Sequence, residues 1–112
     1  MSDVDDVADG RRVVDETLHS MLAGTIPPYE GGWKVWETAF RLASRSPDVM
    51  GPLWLLWGAL TDWVETKPDE RAQAEAAMLR AAREWFELEP DDSVQRAWFE
   101  RWLRELRVQP RQ

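Results

Sequence analysis

The groups in this chain best suited to chemistry are a lone histidine, a surplus of carboxylates and eight tryptophans. Asp15 lies four residues before His19 and Glu16 three before, so on a helix all three share one side. His19 and Asp15 could supply two ligands to a metal ion, but a tetrahedral site needs more from elsewhere. The surrounding Thr17-Leu18-His19-Ser20 matches no nucleophile motif, and an exposed histidine beside carboxylates is the simpler reading. Two further carboxylates stand in tryptophan-rich segments: Glu37 follows Trp33 and Trp36, and Asp62 precedes Trp63. A carboxyl pressed against indoles is held protonated more readily and can act as a general acid. On the solvated edge of a helix the same groups do no such work.

The tryptophans recur in pairs one helical turn apart: Trp33 with Trp36, Trp54 with Trp57, Trp98 with Trp102. Rings of this size fill helical cores, and they also anchor protein interfaces. Eight indoles, each with an N–H that needs an acceptor, are hard to enclose in 112 residues. The expectation is that some meet another molecule. Trp33, Trp36, Trp54 and Trp57 are the candidates, with Tyr29 in the irregular segment before them, and Trp36 and Trp54 are expected to be the exposed ones.

Two other patterns carry less. Gly31-Gly32 with Lys34 resembles an anion-binding helix start, yet it lacks the glycine spacing of a phosphate loop or a dinucleotide fingerprint. A flexible turn entering a helix is the plainer reading. Arg96, Arg104, Arg107 and Arg111 near Trp98 and Trp102 resemble a single-strand nucleic-acid strip. Glutamates interrupt that strip and its rings fall on the face expected inside, so no nucleic-acid partner is expected.

These residues have to be positioned by helices. Val14, Leu18, Met21 and Leu22 recur at helical spacing over about 9–23, Gly24 suits the end, and Pro27-Pro28 stops continuation. A second helix is expected over 32–44, with Trp33, Trp36, Phe40 and Ala43 on one face, and a third over 52–66. The third is apolar nearly all round in its early turns, which predicts a central helix, and Gly58 suits a close neighbour. Pro68-Asp69-Glu70 opens a fourth helix running to about Leu88, and Pro90-Asp91-Asp92-Ser93 separates it from a fifth over 92–107. Val94, Trp98, Trp102 and Leu106 form the inward stripe of that last helix. Two-residue alternation is missing. The fold expected is all-α: a compact bundle of about five helices in one domain over 9–108, with a disordered start at 1–8 and a frayed end at 109–112.

Composition narrows the function. The chain has no cysteine, which excludes disulfides and thiolate chemistry, and its net charge of −7 disfavours phosphate backbones. The acidic start has no secretory signature and no apolar run reaches membrane length, so a soluble cytoplasmic protein without a membrane partner is expected. No cofactor or metal motif is present. The leading expectation is a non-enzymatic interaction module, a regulator, adaptor or inhibitor type, that uses a Trp-bearing surface on a protein partner, a basic one being favoured by charge. The alternative is a small-ligand protein with an aromatic pocket between helices, and the third is an enzyme using a buried carboxylate. Self-association into a symmetric dimer would also cover the third helix's excess apolar surface.

Overall fold

The computed structural model describes residues 3–108, with side chains described from Asp6 to Leu106. Five α-helices follow one another: α1 (Asp3–Ala23), α2 (Pro28–Leu42), α3 (Met50–Thr66), α4 (Arg71–Glu87) and α5 (Asp92–Val108), with a single 3-10 turn at Pro68–Glu70 before α4. The described residues contain no strand. The radius of gyration is 13.6 Å, close to the ~13 Å of a compact chain this long. Among the described residues, no helix is long and apolar enough to cross a membrane.

The helix ends follow local chemistry. Gly24 takes φ 80°, the left-handed conformation that glycine adopts without strain. Its N–H bonds to Met21 O at 3.2 Å and the N–H of Thr25 to Ser20 O at 3.0 Å, a Schellman ending for α1. Asp91 closes the start of α5. Its Oδ1 accepts the backbone N–H groups of Ser93 at 2.8 Å and Val94 at 3.2 Å, and the Ser93 hydroxyl at 2.5 Å.

Two boundaries differ from expectation. α1 begins at Asp3 rather than near Asp9, so residues 3–8 belong to the helix. Asp6 bonds Arg45 at 2.8 Å and Val7 packs against the core, which ties this segment down. The tail at 109–112 lies outside the described residues. α2 begins at Pro28, so Gly31 and Gly32 are buried helical residues rather than an anion-binding turn. A Cβ on Gly31 would collide with the Met21 side chain, and one on Gly32 would lie 3.2 Å from Thr61 Cγ2. At both glycines a neighbouring helix comes close.

That packing decides which side of α2 faces in. Gly31, Gly32, Val35, Thr38, Ala39 and Leu42 are its buried residues. The small ones let α1, α3 and α4 approach, and the stripe of large rings is left facing outward. Nor is α3 alone at the centre. It packs on α2, α4 and α5, while among the described residues none of its Cα atoms lies within 8 Å of one of α1; α2 and α4 touch each other and both α1 and α3. The early turns of α3 keep an uncovered side, with Leu55 53% exposed.

α5 is held differently. Among the described residues no Cα atom of α4 lies within 8 Å of one of α5. Trp85, Trp98, Phe99 and Trp102, all buried, fill the space between, with centroids 5.1–6.4 Å apart. Val94, expected in the inward stripe, is exposed because it lies at the first turn, before α5 reaches this ring layer.

Candidate functional site

Tyr29, Trp33, Trp36 and Phe40 follow one another at steps of four, three and four along α2, which makes one stripe. α3 runs antiparallel beside it and supplies a counterpart at each level. At one end, the Tyr29 hydroxyl donates to Glu65 Oε2 at 2.6 Å. The Trp33 indole N–H is shared between the Tyr29 oxygen at 2.8 Å and the same Glu65 oxygen at 3.1 Å. In the middle, the Trp36 indole lies against Gly58, where an added Cβ would sit 2.9 Å from its Nε1. The close neighbour expected at Gly58 is therefore Trp36. At the other end Phe40 meets Trp54 of α3 at 5.4 Å between centroids.

The rings form a continuous strip. Trp33 and Trp36 touch edge to face at 4.9 Å, and Trp36 stacks on Phe40 at 5.5 Å with planes 4° apart. Phe40 is 53% and Trp33 39% exposed, while Trp36 and Trp54 are half-buried. Trp36 and Trp54 are thus partly open as expected, but the most open tryptophan is Trp33. Leu55, next to Trp54, extends the apolar surface along α3. A strip of this kind favours apolar groups and, through the ring faces, cations.

The two candidate carboxylates edge this strip. Glu37 is four residues after Trp33 and three before Phe40, on the same side of α2. Asp62 is four residues after Gly58, the residue under Trp36. Both are exposed, so neither sits in the dry pocket that general acid chemistry would use. Tyr29, Trp33, Trp36, Glu37, Trp54 and Asp62 are brought together on one face. Trp57 is not among them. It is 1% exposed and belongs to the core, because it lies on the side of α3 that meets Gly32 of α2.

The remaining indoles point inward and reach carboxylates at the margins. Trp98 and Trp102 both donate to Glu84 Oε1 at 2.9 Å, Trp63 to Glu70 at 2.7 Å and Trp85 to Asp15 at 3.1 Å. Burial alone would raise the pKa of Glu84, but the two indole N–H groups, with Arg80 and Arg101, hold it below the usual carboxylate range. The Tyr29 phenol is pushed above its ordinary value, chiefly by its hydrogen bond to Glu65 and then by burial. Asp15 is thereby engaged with Trp85, and His19 stacks on Phe86 at 3.9 Å, so the two are not paired as metal ligands. Among the described residues no group of three or more His, Asp or Glu side chains is placed to hold a metal ion.

Two shallow grooves flank α1. One, of about 310 Å³, is lined by Val13, Glu16, Thr17, Ser20, Thr25, Ile26 and Lys34. The other, of about 330 Å³, is lined by Asp6, Asp9, Gly10, Val13, Arg41, Leu42 and Arg45. Neither is lined by a tryptophan, whereas the aromatic-pocket alternative requires one that is.

Sequence reasoning missed Phe40, Glu65 and Glu84. For Phe40 the signal was present: α2 carries a small-residue stripe and a ring stripe, and only one can face in. For Glu84 it was not, because its partners are 14 and 18 residues away on another helix. No family model matches this chain, and no curated protein or solved structure is significantly similar to it.

Proposed function

We propose that this domain is a non-enzymatic interaction module that docks a protein partner on the open face of α2 and α3. The observation that carries this reading is the unbroken strip Trp33–Trp36–Phe40–Trp54 at the surface. Large rings cluster at the centres of protein interfaces, where they are fully desolvated on binding. Contiguous exposed apolar surface of this kind is uncommon on isolated soluble domains. Partner binding is favoured over a small-molecule pocket because the strip opens outward, and over catalysis because Glu37 and Asp62 are exposed.

The test is site-specific photocrosslinking in the cells that make the protein. A benzoylphenylalanine in place of Phe40 is expected to give discrete protein adducts. The same group in place of Ala97, an exposed residue of α5, which among the described residues has no Cα atom within 8 Å of one of α2, is expected to give none. Equal background at both positions would overturn the proposal.

A further inference from the structure

Three helices meet on Tyr29, at one end of the strip. Its hydroxyl donates to Glu65 Oε2 of α3 at 2.6 Å, and the Arg71 guanidinium of α4 lies over its ring at 5.3 Å. The corner that carries Glu65 and Arg71 is itself pinned, because the Trp63 indole donates to Glu70 at 2.7 Å. Tyr29 is thus held at the hydroxyl by a carboxylate and on the ring face by a cation.

Trp33 is tied into this arrangement by its one polar atom. Its N–H is shared between the Tyr29 oxygen at 2.8 Å and Glu65 Oε2 at 3.1 Å. The three groups close a triangle, in which the phenol donates to the carboxylate and both oxygens accept the indole. Burial is not what fixes this ring, since Trp33 is the most open tryptophan. Phe40, at the other end, has no polar atom and is held by ring contacts alone. An exposed side chain ordinarily moves among rotamers, and a partner that docks on it has to immobilise it. Here the orientation is chosen before any partner arrives.

We infer that Glu65 is a positioning residue of the docking face: together with Tyr29 it fixes the Trp33 indole in the orientation that the strip presents to a partner. This rests on the interaction reading above. Glu65 acts through Trp33, not by its charge on the partner. Both bonds fall on one oxygen, so a glutamine in its place can keep them while dropping the charge. That separates holding the ring from attracting a cation. A freed indole has to be immobilised anew at each binding event, which weakens docking about two- to tenfold.

The experiment compares wild type, E65Q and E65A in the full chain. Glu65 is exposed, so neither change touches the core, and circular dichroism checks the helix content. Nitrogen relaxation of the indole N–H groups reads the order of each tryptophan with no partner present. Docking is read from the yield of protein adducts to a benzoylphenylalanine at position 40. E65A is expected to loosen Trp33 while Trp102 stays rigid, and to lower the adduct yield about two- to tenfold. E65Q is expected to preserve both. Y29F, which removes the phenol oxygen and leaves only the 3.1 Å bond, is expected to fall between them, and it carries the test if E65A does not fold. A Trp33 equally ordered in E65A and Y29F would overturn the positioning role, and so would a loosened Trp33 with undiminished adducts. If E65Q keeps Trp33 rigid yet loses adducts as E65A does, Glu65 meets the partner by charge and the inference falls. Absence of adducts in the wild type would overturn the interaction reading, and the role in docking with it, whatever the relaxation shows.

Discussion

Glu84 receives two indole N–H groups on one oxygen and faces Arg80 at 3.6 Å and Arg101 at 3.9 Å. Replacing it separates acceptor from charge. In E84Q the amide oxygen still accepts both indoles, and only the charge is lost. In E84A both N–H groups lose their partner, at a cost of about 2 kcal/mol or more. Urea melts are expected to rank the variants wild type, E84Q, E84A. Because the folded pKa of Glu84 is depressed, its stabilisation is complete above the ordinary glutamate pKa and drains as pH falls through the lowered value. E84Q should therefore lose less stability than wild type on acidification; equal losses would show that the charge contributes nothing. The chain's single tyrosine allows a second test. Ultraviolet titration should find Tyr29 ionising above a free phenol, and E65Q should bring it down, since Glu65 is the main cause of the rise. At this scale the sequence says that every indole needs an acceptor. It does not say which carboxylate serves, since Glu84 and Asp15 reach their partners only through helix packing.

Helices were the most legible level, because Pro68, Gly24 and Asp91 mark ends by chemistry that acts within a few residues. α2 shows where that legibility stops. Gly31-Gly32 reads as a break, since glycine destabilises an isolated helix by ~1 kcal/mol per residue. Tertiary contact overrides that local preference, because a Cβ at Gly31 would collide with the Met21 side chain and one at Gly32 would crowd Thr61. The same contact turned the ring stripe outward, so Phe40, read only as sharing a face with Trp33 and Trp36, joined them in the candidate site. Gly58 tests the joint between α2 and α3. An alanine there would gain up to ~1 kcal/mol of helix propensity, but its Cβ would lie 2.9 Å from the Trp36 indole nitrogen. Trp36 is half-buried and can swing outward. G58A is expected to leave overall stability nearly unchanged while shifting the Trp36 indole N–H resonance and breaking its contact with Phe40. An unmoved resonance would show that the close approach is not what seats Trp36.

Over the whole molecule, the tryptophans divide into two populations with different jobs. Trp57, Trp63, Trp85, Trp98 and Trp102 are buried, whereas Trp33, Trp36 and Trp54 remain partly open on one face. The sequence established that eight indoles strain the capacity of so short a chain. It did not show which stay outside, because that depends on how closely the helices approach. The division predicts opposite responses to truncation. Trp102 is 2% exposed and fills the layer that holds α5 on α4. W102A should cost about 3–5 kcal/mol, a large part of the ~5–15 kcal/mol that holds a typical domain folded. Phe40 is 53% exposed, although it stacks on Trp36 and meets Trp54 at a tilt. F40S should change stability by under about 1 kcal/mol, while lowering the binding of an environment-sensitive apolar dye and removing the crosslinked adducts formed from the strip. A melt in which F40S falls as far as W102A would mean that the strip belongs to the core. A surface available to a partner has to be one whose loss the fold survives.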